Sequence, residues 1–172
     1  MADRDALIES EIPRLRRFAR ALTRDPDWAD DLVQDCVERA LSRWSTWRGG
    51  DSARAWLFTI LHNLHANAVR RRARARAIFG HPVRPPEIVT PPPQAGSLSL
   101  RDLDLALQRL PDDQRRAILL VGLEGLTYAE VASVTGVPMG TVMSRLSRGR
   151  ERLRRLMAEG SNDGGPVLRR VK

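Results

Sequence analysis

The chain has 172 residues, enough for one medium domain or two small ones. Lys and Arg number 29 against 21 Asp and Glu, a net charge of +8, which favours a polyanionic partner, nucleic acid before membrane surface. A single cysteine, Cys36, excludes an internal disulfide, and no apolar run is long enough to cross a bilayer. With no signal peptide at its start, the chain is expected to be cytoplasmic, without membrane insertion.

Ile8, Ile12, Leu15, Phe18, Ala19 and Leu22 recur at helical spacing and predict a first helix that starts or bends at Pro13. Asp25-Pro26-Asp27 interrupts it. A second helix is predicted from Asp27 to Trp44, with Leu32, Cys36, Val37, Ala40 and Leu41 apolar. Asp30, Asp31, Gln34, Asp35 and Glu38 line its other side with acceptors. Such acidity in so basic a chain suits a protein partner with a basic surface, not DNA. Cys36 lies among the apolar positions and reads as a small core or interface residue.

The stretch 45–52 holds Arg48, Gly49, Asp51 and Ser52, a loop of glycine and small polar groups. A third helix is predicted over about 53–78, with Trp56, Leu57, Ile60, Leu61, Leu64 and Ala68 as its stripe. Asn63 and Asn67 are four apart and share a face, and asparagine can pair with a base edge. Arg70, Arg71, Arg72, Arg74 and Arg76 follow, suited to phosphates. Trp44 and Trp47 are candidate stacking platforms; Trp56 and Phe58 sit beside the apolar stripe and read as core.

Prolines in GHPVRPPEIVTPPPQAGS exclude a regular helix and mark a linker over 80–97. Fully extended, it would span about 60 Å. Beyond it, Leu103, Leu107 and Leu110 share a helical face, Pro111 opens another helix through Leu123, and Gly125 ends it. The tail from 160 to 172 is expected to be disordered. No strand pattern appears, so the fold class is all-α. The expected division is a domain at 1–79, the linker at 80–97, a second domain at 98–159, and the tail.

The second domain closes with two helices joined by a tight turn. Thr127 and Glu130 form a capping box, Gly136 suits the left-handed stop, and Pro138 suits the start of the next helix. Val142 and Leu146 are the buried stripe of that last helix, leaving Thr141, Met143, Ser144, Ser147 and Arg148 largely outside it. This is a helix-turn-helix, which places its second helix in the DNA major groove.

An acidic helix, an arginine-ended helix and a separate C-terminal helix-turn-helix together resemble the extracytoplasmic-function (ECF) group of bacterial sigma factors. DDLVQDCVERAL resembles the family's polymerase-docking helix, SARAWLFTILHNLHANAVRRRAR its promoter-melting helix, and LPDDQRRAILLVGLEGLTYAEVASVTGVPMGTVMSRLSRGRERLR its upstream-element reader. The resemblance implies two sigma domains of the region 2 and region 4 types. It implies docking of Asp30, Asp31, Gln34, Asp35 and Glu38 on the β′ clamp of core RNA polymerase, with the β flap as a second contact. Downstream (−10) promoter DNA would meet Arg48, Gly49, Asp51, Ser52, Asn63, Asn67, Arg70 and Arg71. Upstream (−35) DNA would meet Met139, Gly140, Thr141, Met143, Ser144, Arg145, Ser147 and Arg148. The loop at 48–53 would hold a base flipped from the duplex. An anti-sigma factor is a further implied partner. Two positions depart from common family usage: Asn67, where many members carry Asp, and Met143, where many carry Lys or Arg.

A stand-alone helix-turn-helix regulator, reading a palindrome as a dimer, explains the C-terminal block but leaves the acidic helix without a role. An RNA-binding adaptor using the arginines at 70–76 is a third reading. No Gly-rich phosphate loop or nucleophile elbow is present, so neither an enzyme nor a small-molecule substrate is expected. His62 and His65 are three apart, yet only His81 could join them, so no metal or cofactor is expected.

Overall fold

The computed structural model describes residues 2–47, 52–79 and 98–162. It contains α1 (Ala2–Thr23), α2 (Pro26–Ser42), α3 (Ala53–Phe79), α4 (Leu98–Gln108), α5 (Asp112–Ile118), α6 (Tyr128–Thr135) and α7 (Met139–Asn162). Among the described residues there is no strand. The linker expected at 80–97 lies outside them, as does the chain beyond 162. Residues 160–162, expected in the disordered tail, instead continue α7, since no glycine pair or proline interrupts the chain before Gly164.

Most predicted elements form near their expected bounds. α1 runs through Pro13, which sits on the exposed side. It ends at Arg24, a left-handed residue at φ 63° whose N–H donates to Arg20 O at 3.0 Å. Asp25 then caps α2, accepting from Trp28 N at 3.0 Å, with Pro26 in the first turn. α2 is shorter than the predicted Asp27 to Trp44: it stops at Ser42, and Trp44–Thr46 form one 3₁₀ turn. That turn lays Trp44 against Trp47 and Trp56, with ring centroids 4.7 and 5.9 Å away.

The core of the first three helices is the predicted stripe. Leu15, Phe18 and Ala19 of α1 meet Cys36 and Ala40 of α2 and Leu57, Phe58 and Leu61 of α3, all fully buried. Phe18 and Phe58 pack edge to face at 5.3 Å. Each buried Leu or Phe contributes about 1.5–3 kcal/mol by leaving water. In the second half, Leu120, Val131, Val134, Val142 and Leu146 form the matching core.

α5 does not stop at Ile118. It runs into a π-helical turn over Leu119–Leu123, where Glu124 N donates to Leu119 O at 3.1 Å. Gly125, at φ 69°, then reverses the chain. The wide turn sends the Glu124 carboxylate inward, and its side chain is fully buried.

The two halves share one apolar cluster, with α3 packed on α6 and α1 on the π-helical turn. Polar contacts line this seam. Arg17 Nε and Nη2 donate to the Glu124 carboxylate at 3.1 and 3.0 Å, and Nη2 also reaches Leu123 O at 3.0 Å. Arg24 donates to Gln108 Oε1. Arg115, buried, donates to Leu22 O at 3.4 Å, a carbonyl of the last turn of α1. A cation there satisfies an orphan carbonyl and complements the helix dipole.

Within the second half, α7 crosses α5 at Gly149. A Cβ at Gly149 would stand 2.8 Å from Ile118 Cδ1 and 3.2 Å from Gln114 Cβ, whereas one at Gly140 meets nothing within 4 Å. Alanine gains about 1 kcal/mol of helix propensity over glycine, but overpacking costs about 1–3 kcal/mol. Gly149→Ala is therefore expected to lower the melting temperature and Gly140→Ala to raise it. Thermal melts of the two variants check this, and the reverse order would refute the close crossing.

Candidate nucleic-acid interface

α2 exposes Asp31, Gln34, Asp35 and Glu38 along one side, with Gln34 Nε2 donating to Glu38 Oε1 at 3.1 Å. Asp30 is exposed too but is engaged inside the chain, by Arg16 at 3.1 Å and Arg20 at 3.5 Å on α1. Asp31 and Asp35 form one rim of a groove of ≈ 430 Å³ whose other rim carries Asn67, Arg71 and Arg72. Trp28 stands in that groove with the Arg72 guanidinium 3.7 Å above its ring, and it stacks on His65 at 5.3 Å. The predicted docking acids and part of the predicted melting helix thus face each other across one cleft.

On α3, Asn63 and Asn67 are both exposed on a shared face, and Arg70 donates to Asn67 Oδ1 at 2.7 Å. Arg71 is exposed beside them. Arg48, Gly49 and Asp51 lie outside the described residues. Ser52 is exposed, and its carbonyl accepts from Trp56 N at 3.0 Å at the start of α3. Trp44, Trp47 and Trp56 cluster near the two ends of that loop, each half-buried. Trp56 is therefore part of an aromatic cluster at the core's edge and not fully interior, while Phe58 is interior.

The helix-turn-helix forms as its caps dictate. Thr127 Oγ1 accepts from Glu130 N at 3.2 Å, and Glu130 Oε2 accepts from Thr127 N at 2.8 Å. Gly136 is left-handed at φ 67°. Pro138 sits one position ahead of α7, its carbonyl accepting from Thr141 N at 2.9 Å. Val142 and Leu146 are buried; Met139, Gly140, Met143, Ser144, Ser147 and Arg148 are exposed, and Thr141 is half-buried. Arg145 turns back to Asp113 at 3.1 Å, and Arg148 Nε donates to Ser144 O at 3.2 Å.

Comparison with known proteins agrees with this geometry. Residues 8–62 match the family described as the Sigma2 domain of PhyR, and residues 100–153 match Sigma-70, region 4. The chain is 37% identical over 164 residues to the ECF RNA polymerase sigma factor EcfG of Rhodopseudomonas palustris, covering 92% of this chain and 88% of that one. The chain belongs to the ECF RNA polymerase sigma factors. This sigma factor is also 35% identical to SigC of Mycobacterium tuberculosis, over 87% of this chain and 80% of that one. Among solved structures it superposes with a TM-score of 0.82 on the sigma factor RpoE, in complex with the anti-sigma factor NepR, from Bartonella quintana. The identity there is 37%, over 92% of this chain and 98% of that one. Sigma factors are initiation factors, which accounts for a chain whose motifs are for binding.

Sequence reasoning missed Trp28, Arg17 and Glu124. Trp28 falls on the half-buried side of α2, and no periodicity distinguishes a sandwiched tryptophan from a core one. The Arg17–Glu124 pair joins residues 107 apart. Cys36 is a core residue, as read: burial pushes its thiol up to about 12, far from a reactive thiolate. Among the described residues, no group of three His, Cys, Asp or Glu is placed to hold a metal ion, and no helix is long and apolar enough to cross a membrane.

His62 and His65 lie in the seam. Arg116 Nη1 stands 2.8 Å from His62 Nε2; since arginine only donates, that nitrogen accepts and the ring is neutral. Burial first, then the Arg116 charge, lowers both histidines to about 4. Asp112 opposes this at His65, while Arg70 and Arg145 add to it at His62. The unfolded chain protonates these rings near pH 6.5, above the folded value. Stability is therefore greatest above about pH 6.5 and falls as pH drops towards 4, by at most about 3 kcal/mol for each ring. Melting temperatures taken from pH 7.5 to 4 are expected to fall less steeply in a His62→Gln, His65→Gln double variant than in the parent. Parallel curves would refute the assignment.

Proposed function

We propose that this sigma factor binds core RNA polymerase through α2, opens the downstream promoter element with α3, and reads the upstream element with α7. The observation that carries the reading is the sorting of charge on the exterior. Carboxylates face outward on α2, amides and arginines on the adjoining face of α3, and small, apolar and arginine residues on the recognition helix. The first suits a basic protein surface, the second splayed bases and phosphates, the third a major groove. Neither half need bind its element tightly, because mounting both on polymerase gives each a high effective concentration.

In this reading the first domain is residues 1–79, the second 98–159, with 80–97 joining them. The two elements lie apart on a promoter, so the seam opens when both halves engage. The similarity to a sigma factor solved with an anti-sigma factor supports control by a protein that favours the closed body. The compartment that fits is the cytoplasm, where polymerase and promoter are.

Titration of labelled core polymerase with the chain, followed by transcription from a genomic fragment library, tests the reading. Asp31→Arg with Asp35→Arg is expected to weaken core binding by roughly tenfold or more, because like charges across an interface cost several kcal/mol. Both positions are exposed, so the melting temperature should hold. Unchanged core affinity would remove α2 from the docking role. Asn63→Ala is expected to reduce permanganate reactivity of the opened strand while closed-complex binding persists; a footprint of parental size would count against α3 as the melting helix.

A further inference from the structure

The first two turns of α7 present an unusual surface for a groove-reading helix. Gly140, Ser144 and Ser147 form its outermost line, all exposed and all small. Beside that line run Met139 and Met143, four apart, with 52% and 51% of their surface exposed. Arg150 continues the same stripe two turns further on and is exposed. Met143, Arg150 and Tyr128 border one cleft of ≈ 270 Å³ between the start of α6 and α7; Arg154, paired with Glu151, closes its far end. The arginines nearest these turns already have partners within the chain. Arg145 is bound to Asp113 on α5, and Arg148 is folded back onto the Ser144 carbonyl.

A small-residue crown lets a helix seat deep in the groove, and the N-terminal turns of a recognition helix are those that meet base edges. The long side chains left pointing outward there are two thioethers, which neither donate well nor carry charge. The apolar feature of the major groove is the 5-methyl group of thymine. We infer that Met139 and Met143 read thymine methyl groups in the upstream promoter element, making it a thymine-selective contact where an arginine would select guanine. Arg150 holds the flanking phosphate and fixes the register of the two methionines. The inference rests on the upstream-reading role of α7 proposed above.

The test uses holoenzyme reconstituted from core polymerase and the full chain. Active promoters are selected from a library randomised across the upstream element, and each thymine of the selected element, on either strand, is then replaced singly by deoxyuridine. Removing one methyl contact is expected to weaken holoenzyme binding about fourfold at one or two positions. That loss should vanish in Met143→Ala or Met139→Ala, each of which is exposed and should melt as the parent does. Two results would overturn the inference: indifference to deoxyuridine at every position, or an equal loss in parent and methionine variants. Failure to transcribe from any library member is a different outcome, because it removes the upstream-reading role itself and the methyl contact with it.

Discussion

The register of the two halves turns on one buried carboxylate. Glu124 has a fully buried side chain in a chain with an excess of positive charge, and a buried anion persists only with a partner. Arg17 supplies it with a two-pronged contact from the opposite half of the molecule. The π-helical turn is what makes that contact possible, because one residue more per turn rotates Glu124 from the solvent side into the seam. Through Glu124, α1 gains a polar tether to the second half.

The same pair explains how a closed body can also open. Arg17 is half exposed, so the ion pair is screened and weaker than its geometry suggests. When the seam parts, water reaches both groups and neither charge is stranded. Arg24 with Gln108 and Arg115 with the Leu22 carbonyl follow the same pattern: donors that water can replace. The seam thus combines an apolar contact between α3 and α6, which holds the halves together, with polar contacts that set their register. An interface of that kind suits exchange of partners better than an all-apolar one does.

The elements were legible because they are local. Capping at Thr127 and Glu130, the left-handed Gly136 and the Val142–Leu146 stripe each depend on residues within a turn or two, and each formed as expected. α2 ends at Ser42 and its chain tightens into a 3₁₀ turn, where Trp44 meets Trp56 of α3, a contact that local periodicity does not encode. The prolines at 80–97 marked the division into two helical blocks, but periodicity held no sign that the halves would touch. His62 and His65 illustrate the difficulty. As a sequence pair they have metal-ligand spacing but too few companions for a site, and nothing more can be read from them. Their neutral state follows from burial beneath α5, which only the seam creates.

Arginine abundance is likewise a poor guide to where nucleic acid lies. Arg17, Arg24, Arg115 and Arg116 serve the seam, Arg16 and Arg20 hold Asp30, and Arg72 covers Trp28. These cations are committed to intramolecular partners, so the net charge overstates the number available for phosphates. The pairing of Arg145 with Asp113 bears most directly on function, because it engages one arginine of the recognition helix inside the chain. Specificity must then come from the shape and polarity of what remains exposed. On a groove-facing surface of glycine, serine and methionine, the two thioethers gain most where a thymine methyl group displaces water from them. The sequence a sigma factor reads is set as much by which arginines its own fold withdraws as by which it presents.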